Sequence, residues 1–433
     1  SMKKTLKYII ICVVVAGLMT GSFFGGYFLR AKTDQDIVSL KFVLDTYKKY
    51  YLEESDDYIR IMAESLLDRY SAYYSKEDYE ILQKTAKGER AGIGVSFYSN
   101  TSTIASVNGN SPAENAGVKA GGTIVGITYD GKDYEITDYS SLSETLSPIE
   151  KDVEFTLKID YSGEISEYVL KKAEYNETFV KYMDENGAYR FADSKENVGQ
   201  IEFTEWDNGE KTQIPRDVGY IQFSAFNGQA DGLFGAVGQI KYALDKFKED
   251  GRSKLIFDLR NNGGGYISIM RDIASHLIKG TTGEKQVVAK AIYKDASVEN
   301  FYSGKVDYDS FGYKQIVFIA NANSASASEA LMGAVFDYDE DDIVKLVLEP
   351  FKSGDAYIYR TYGKGIMQTT FINNGVGDAL RLTTAKIYWP VSIKTIHGVG
   401  LTKSLLGDKC VEAEPDKGDY ALKTAIKLTE EIT

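Results

Sequence analysis

Residues 315–338 read QIVFIANANSASASEALMGAVFDY. Residues 316–320 form a short, unbroken apolar run, residues 321–326 are small and mostly polar, and beyond them apolar residues recur at helical spacing through Leu331, Ala334 and Val335. That succession predicts a buried strand feeding directly into a helix. A strand apolar at every position is covered on both faces, which points to an α/β core.

Three serines, Ser324, Ser326 and Ser328, cluster at this junction, where a side chain is exposed over the sheet edge. Ser326 and Glu329 also match the S-x-x-E capping box, so the junction alone reads as a helix cap before it reads as a nucleophile. A second segment, TYGKGIMQTTF (residues 361–371), holds Lys364 between two glycines, with Gln368 four positions on. A spacing of four places both side chains on one face of a strand or a helix. Gly363 and Gly365 let another backbone approach closely, although a solvated turn lysine would fit the same pattern.

Upstream, VGYIQFSAF, a helical run through Ala243 and Phe247, the strand KLIFDLR, a glycine loop and a helix through His276 alternate as an α/β core requires. Residues 184–216 are polar, with little apolar periodicity, and are expected to be an exposed insertion. Residues 85–175 form short strands with glycine turns (GIGVSF, STIASV, TIVGITY, VEFTLKI) and one short helix, SSLSETL. Residues 31–84 carry apolar positions at three- and four-residue steps and read as a small helical region.

The 63 acidic against 50 basic residues give a net charge of −13, which opposes binding to nucleic acid. Two cysteines, Cys12 and Cys410, exclude a disulfide framework, and two distant histidines, His276 and His397, leave little from which to build a zinc site. No metal and no other cofactor is expected. His276 lies among Ile273, Ala274 and Leu277 and reads as packed rather than catalytic, and Tyr388 and Trp389 read as core or cleft-wall aromatics. Lys3, Lys4 and Lys7 precede an uncharged stretch, Tyr8 to Phe28, long enough to span roughly 30 Å as a helix. With the lysines cytoplasmic, residues 1–30 are expected to be a tip and single-pass membrane anchor that leaves the rest extracytoplasmic. A cleaved signal peptide is the competing reading.

NSASASE, TYGKGIMQ, LIFDLRNNGGG and ALRLTTAKIYWP together resemble the C-terminal processing peptidases, or tail-specific proteases. The resemblance spans most of residues 65–400. It implies a serine-lysine endopeptidase with Ser326 as nucleophile, Lys364 as base and Gln368 orienting the lysine. It also implies an oxyanion hole from the amides of Ala327 and Gly264, with Ser324 and Ser328 in support. The same loop fails as a dinucleotide site, since Ser268 stands where a third glycine is needed. Residues 85–175 resemble a PDZ domain whose Gly92-Ile93-Gly94-Val95 loop would receive the carboxylate of an extended tail. The expected architecture is therefore an α/β peptidase core with a mixed β-sheet (residues 176–433), an inserted β-rich PDZ domain, the N-terminal helical region and the transmembrane helix. Expected partners are protein or peptide substrates recognised through their C-terminal tails in the cell envelope, and the membrane; a homodimer stays open. The interval between Ser326 and Lys364 is longer than the family's, with the extra residues around 340–360. A catalytically inactive PDZ-bearing scaffold or peptide-binding adaptor is the alternative function.

Overall fold

The computed structural model describes residues 35–52, 55, 57–98, 100–184, 187–192, 199–203, 213–228 and 235–431. The chain divides into residues 1–67 and residues 68–433. The first unit contains helices α1 (Gln35–Tyr50) and α2 (Tyr58–Glu64). Among the described residues no helix is long and apolar enough to cross a membrane. The stretch Tyr8 to Phe28, read as a membrane span, lies outside them.

The second unit opens with β1 (Ala72–Tyr74) and α3 (Lys76–Ala86). Residues 31–84 are thus not one helical region. Tyr73 and Tyr74 pair with Leu380 and Ala379, so β1 belongs to a sheet built mainly from the other end of the chain. Next come β2 (Glu89–Gly92), β3 (Val95–Phe97), β4 (Ile104–Val107), α4 (Pro112–Asn115), β5 (Thr123–Tyr129), β6 (Lys132–Glu135), α5 (Tyr139–Leu146), β7 (Glu154–Tyr161), β8 (Glu164–Lys171) and β9 (Ala173–Asn176). These enclose a core of their own around Ile93, Ile104, Ile124, Ile127, Leu142, Phe155, Leu157 and Ile159.

The large sheet draws on β10 (Val180–Met183), β11 (Ala188–Ala192), β12 (Gly199–Phe203) and β13 (Val218–Phe223). After α6 (Ala236–Glu249) and β14 (Lys254–Asp258) come α7 (Ile267–Leu277), β15 (Lys285–Tyr293), β16 (Val298–Lys305), β17 (Gln315–Ala320), α8 (Ala327–Asp337) and β18 (Val344–Leu348). The chain continues through β19 (Phe351–Ser353), β20 (Ala356–Ile358), β21 (Ile366–Ile372), β22 (Ala379–Tyr388), α9 (Lys403–Leu406), β23 (Cys410–Glu412) and α10 (Tyr420–Glu430). Eight strands order as β12-β11-β10-β13-β14-β17-β18-β23. The run from β13 to β23 is parallel and the three strands at the other end are antiparallel. Residues 184–216, expected as an exposed excursion, contribute β11 and β12. Phe191 is buried there against Tyr182 and Tyr242, so sparse apolar residues suffice when strand pairing supplies the rest.

Alternation along the central strands serves two cores. Ile221, Phe223, Leu255, Phe257, Ile316 and Phe318 join the core formed with α6, α7 and α8. Tyr220, Ile256, Val317 and Ile319 face Ala421, Leu422 and Ala425 of α10. In α6, Ile240, Ala243, Leu244 and Phe247 recur at helical spacing and are all buried. A second, antiparallel sheet pairs β22 with β1, β15 and β21, and β15 with β16. Segments following the C-terminal ends of β14 and β17 meet this sheet, the usual position for a site in a parallel α/β sheet.

Candidate active site

Ser326 sits between β17 and α8 with φ +59°, a left-handed conformation rare for a residue with a side chain. Such strain persists only where the surroundings over-determine it. Here Ala325 N–H donates to Asn262 O (3.0 Å), Ser328 Oγ donates to the same carbonyl (2.9 Å), and Ser324 Oγ donates to Leu259 O (2.8 Å). Ser324 and Ser328 are wholly buried and tie the turn to the loop after β14.

That loop lies against Ser326. A Cβ on Gly264 would stand 2.8 Å from Ser326 Cβ and 2.9 Å from Ala327 N, and its φ of +99° also demands glycine. Ala327 N–H has no acceptor among the described residues. The Gly264 amide differs from expectation, because it donates to Asn262 Oδ1 (2.9 Å). Asn262, fully buried, holds the loop through that bond and through Nδ2 to Phe223 O (2.9 Å). The neighbouring Gly263 and Gly265 line the cavity, and their N–H groups have no acceptor among the described residues.

Lys364 precedes β21, and its flanking glycines permit close approach of residues 396–400. A Cβ on Gly363 would lie 2.9 Å from Gly400 N, and one on Gly365 2.8 Å from His397 N. Lys364 Nζ stands 5.1 Å from the centre of the Tyr70 ring, and no hydrogen bond or ion pair holds it among the described residues. Burial, then the charge of Arg381, pushes its pKa below the ordinary lysine value; Asp68 and Glu329 oppose this more weakly. Gln368 lines the same cavity, but its Nε2 donates to Thr383 Oγ1 (3.2 Å) across the β21–β22 pair, so its amide is engaged with the neighbouring strand rather than with the lysine.

Glu329, read from spacing as half of a capping box, also reaches the lysine segment. Its Oε2 accepts from Ser326 N–H (3.0 Å) and Lys364 N–H (2.9 Å), and its Oε1 accepts from Gly363 N–H (2.8 Å) and the Thr361 hydroxyl. The carboxylate is fully buried; burial raises its pKa, and the four donors pull it back. One side chain thus joins the backbone of Ser326 to that of Lys364. Contacts between residues so far apart in sequence leave no periodic trace, and only the S-x-x-E half was legible.

Ser326, Ala327, Gly264, Lys364 and Gln368 line one cavity of about 480 Å³. Ile366, Ile387, Trp389 and Ile396 add apolar wall, and Arg381 adds a cation. Gly92, Ile93, Gly94 and Val95 do not line it and lie in the separate β-rich module. There Gly94 has φ +81° and packs so tightly on Ser111 that a Cβ would fall 2.1 Å from Ser111 Cβ. Ile93 is buried, with its carbonyl accepting from Ala113 N–H (2.9 Å). His276 also lies away from the cavity, buried with Nδ1 2.7 Å from Asp307 Oδ1. Cys410 is buried, which pushes its thiol up to about 12.

A strained serine, a half-buried lysine without a counter-ion among the described residues and a glycine loop meet at one cavity, and residues 217–405 around them match the model of peptidase family S41. Those residues form a peptidase family S41 domain, and the chain is homologous to carboxyl-terminal processing proteases. The carboxyl-terminal-processing protease of Synechocystis sp. is 28% identical over 75% of this chain and 64% of its own length. The probable CtpA-like serine protease of Staphylococcus saprophyticus is 31% identical over 43% of this chain and 33% of its own. The chain therefore spans about two thirds or less of these relatives. The fold is similar to that of the photosystem II D1 C-terminal processing protease, with a TM-score of 0.50 at 20% identity, covering 88% of this chain and 89% of the other.

Proposed function

We propose that this chain is a serine endopeptidase of the C-terminal processing type that works through a Ser326–Lys364 dyad. The observation that carries the reading is Lys364, a half-buried amine lining the Ser326 cavity with no carboxylate bound to it among the described residues, its proton affinity lowered by partial burial and by Arg381. A hydroxyl becomes an effective nucleophile only with a base in reach, and an amine is a base only when neutral. Neutral Lys364 removes the Ser326 proton as Oγ attacks the scissile carbonyl carbon. The resulting oxyanion is held by Ala327 N–H and an amide of the Gly263–Gly265 loop. The lysine ammonium then protonates the departing amine, leaving an acyl-serine. Water, deprotonated by the same amine, releases the product acid and restores the serine.

The β-rich module is proposed to act as a PDZ domain gripping substrate tails with its Gly92–Val95 loop. The uncharged stretch after Lys7 supports anchorage in the membrane, with the peptidase facing the cell envelope. Purified residues 31–433 should cleave an unfolded protein or a peptide with a free C-terminus, and Ser326→Ala should abolish that cleavage. Peptide binding without any product would leave only the adaptor reading, and cleavage surviving Ser326→Ala would move the nucleophile elsewhere.

A further inference from the structure

The cavity contains a second cation besides Lys364. Arg381 lies on β22 between Ala72 of β1 and Thr370 of β21, and its guanidinium carbon stands 5.3 Å from the centre of the Tyr74 ring. Its Nε is buried without a hydrogen-bond partner. No carboxylate pairs with the guanidinium among the described residues. The nearby Asp68 is already engaged, its Oδ1 accepting from the amides of Tyr70 (3.0 Å) and Ser71 (2.8 Å). An aromatic face supports a guanidinium but satisfies none of its in-plane N–H donors. Leaving the buried Nε–H unmet is costly, and a planar fork of this kind is suited to a carboxylate.

The strand carrying Arg381 gives the cavity two ends. Arg381 and Ile387 of β22 and Trp389 just beyond it all line the cavity. Ile387 and Trp389, with Ile396, make one end apolar. Arg381, six residues back along the strand from Ile387 and so at most about 20 Å away, makes the other cationic. An extended peptide crossing the cavity would meet a hydrophobic surface and, several residues away, an unpaired guanidinium.

We propose that Arg381 is a substrate-binding residue that pairs with a carboxylate of the bound peptide, so that the cleft itself selects an anionic residue or a free C-terminus. This rests on the peptidase reading of the same cavity. The selection is separate from any grip exerted by the Gly92–Val95 loop, which lies outside the cavity.

The test compares matched peptides on the purified chain. One set replaces Asp or Glu by Asn or Gln at successive positions either side of the scissile bond, and another offers the C-terminus as acid or amide. Wild-type kcat/KM should favour the carboxylate member by about tenfold at one position or at the terminus, the advantage expected of a charge-assisted pair. Arg381→Gln should bring that ratio to about one, and Arg381→Lys should keep part of it. Any effect of Arg381 on Lys364 acts on every peptide alike and cancels in the ratio. Which set responds tells a side-chain carboxylate from a terminal one. The same pairs are titrated by fluorescence anisotropy against Ser326→Ala and Ser326→Ala/Arg381→Gln, which reads binding even if the chain cleaves nothing. Loss of carboxylate preference only in the double variant supports the assignment. An equal preference with and without Arg381, or none in the wild type, overturns it.

Discussion

Glu329→Gln is the most informative single change, because it keeps shape and volume while altering the link between the Ser326 and Lys364 segments. The carboxylate accepts four hydrogen bonds, two on each oxygen, from Ser326, Lys364, Gly363 and Thr361. An amide must put its NH₂ at one end. The better orientation directs it to Thr361, whose hydroxyl can turn to accept, and strands Gly363 N–H. An unmet buried donor costs about 1–3 kcal/mol, and the bonds kept by Ser326 and Lys364 fall to neutral strength, about 1 kcal/mol each instead of about 1.5–3. Removing a buried charge gives some of this back, since burial already raises the Glu329 pKa. The expected net loss is about 1–3 kcal/mol of stability, read by urea denaturation. Catalysis should suffer more. A displacement of about 1 Å between nucleophile and base costs on the order of 100-fold, so kcat should fall by about that factor while KM changes little. A folded Gln variant with kcat within about threefold of wild type would refute the view that this carboxylate positions the dyad.

Lys364 should give kcat/KM an ascending limb centred below the ordinary 10.5, because burial and Arg381 disfavour its ammonium; Arg381→Gln should move that limb to higher pH. The unfolded chain holds this proton more tightly, so the group's contribution to folding increases as pH rises from the native value toward 10.5. Gly264→Ala should lower kcat by about 100-fold in peptide hydrolysis, since the added carbon meets Ser326 Cβ at 2.8 Å in the loop proposed to hold the oxyanion. Arg260→Met should cost about 3–5 kcal/mol in urea unfolding. The guanidinium donates to Asp258 (2.6 Å), Asp419 (2.8 Å) and Glu349 (2.9 Å), and Asp258 is fully buried, so these carboxylates would lose their counter-charge.

The parts of the fold that depend on local pattern were readable. The apolar stretches 255–257 and 316–320 within their strands and the helix after Ser326 follow from period and burial alone. Features set by distant partners were not. Nothing in residues 184–216 signals that β11 pairs with β10, and nothing in residues 72–74 signals pairing with residues 379–381. At the site, serine, lysine and glycine loop stood out through the motifs NSASASE, TYGKGIMQ and LIFDLRNNGGG, which resemble a known peptidase family. The second role of Glu329, the capture of the Gly264 amide by Asn262, the engagement of Gln368 with Thr383 and the unpaired Arg381 all depend on three-dimensional neighbours.

The residues between Ser326 and Lys364 include β19 and β20, which pair as a hairpin, Phe351 with Ile358. Glu329 fastens the lysine backbone to the helix that starts beside the serine, so the geometry of the pair is decoupled from the contour length of the chain joining them. The turn at Gly354 is consequently a place where the polypeptide can be lengthened, labelled or opened to new termini without retuning the chemistry, and natural variation in this connection is free to serve recognition instead.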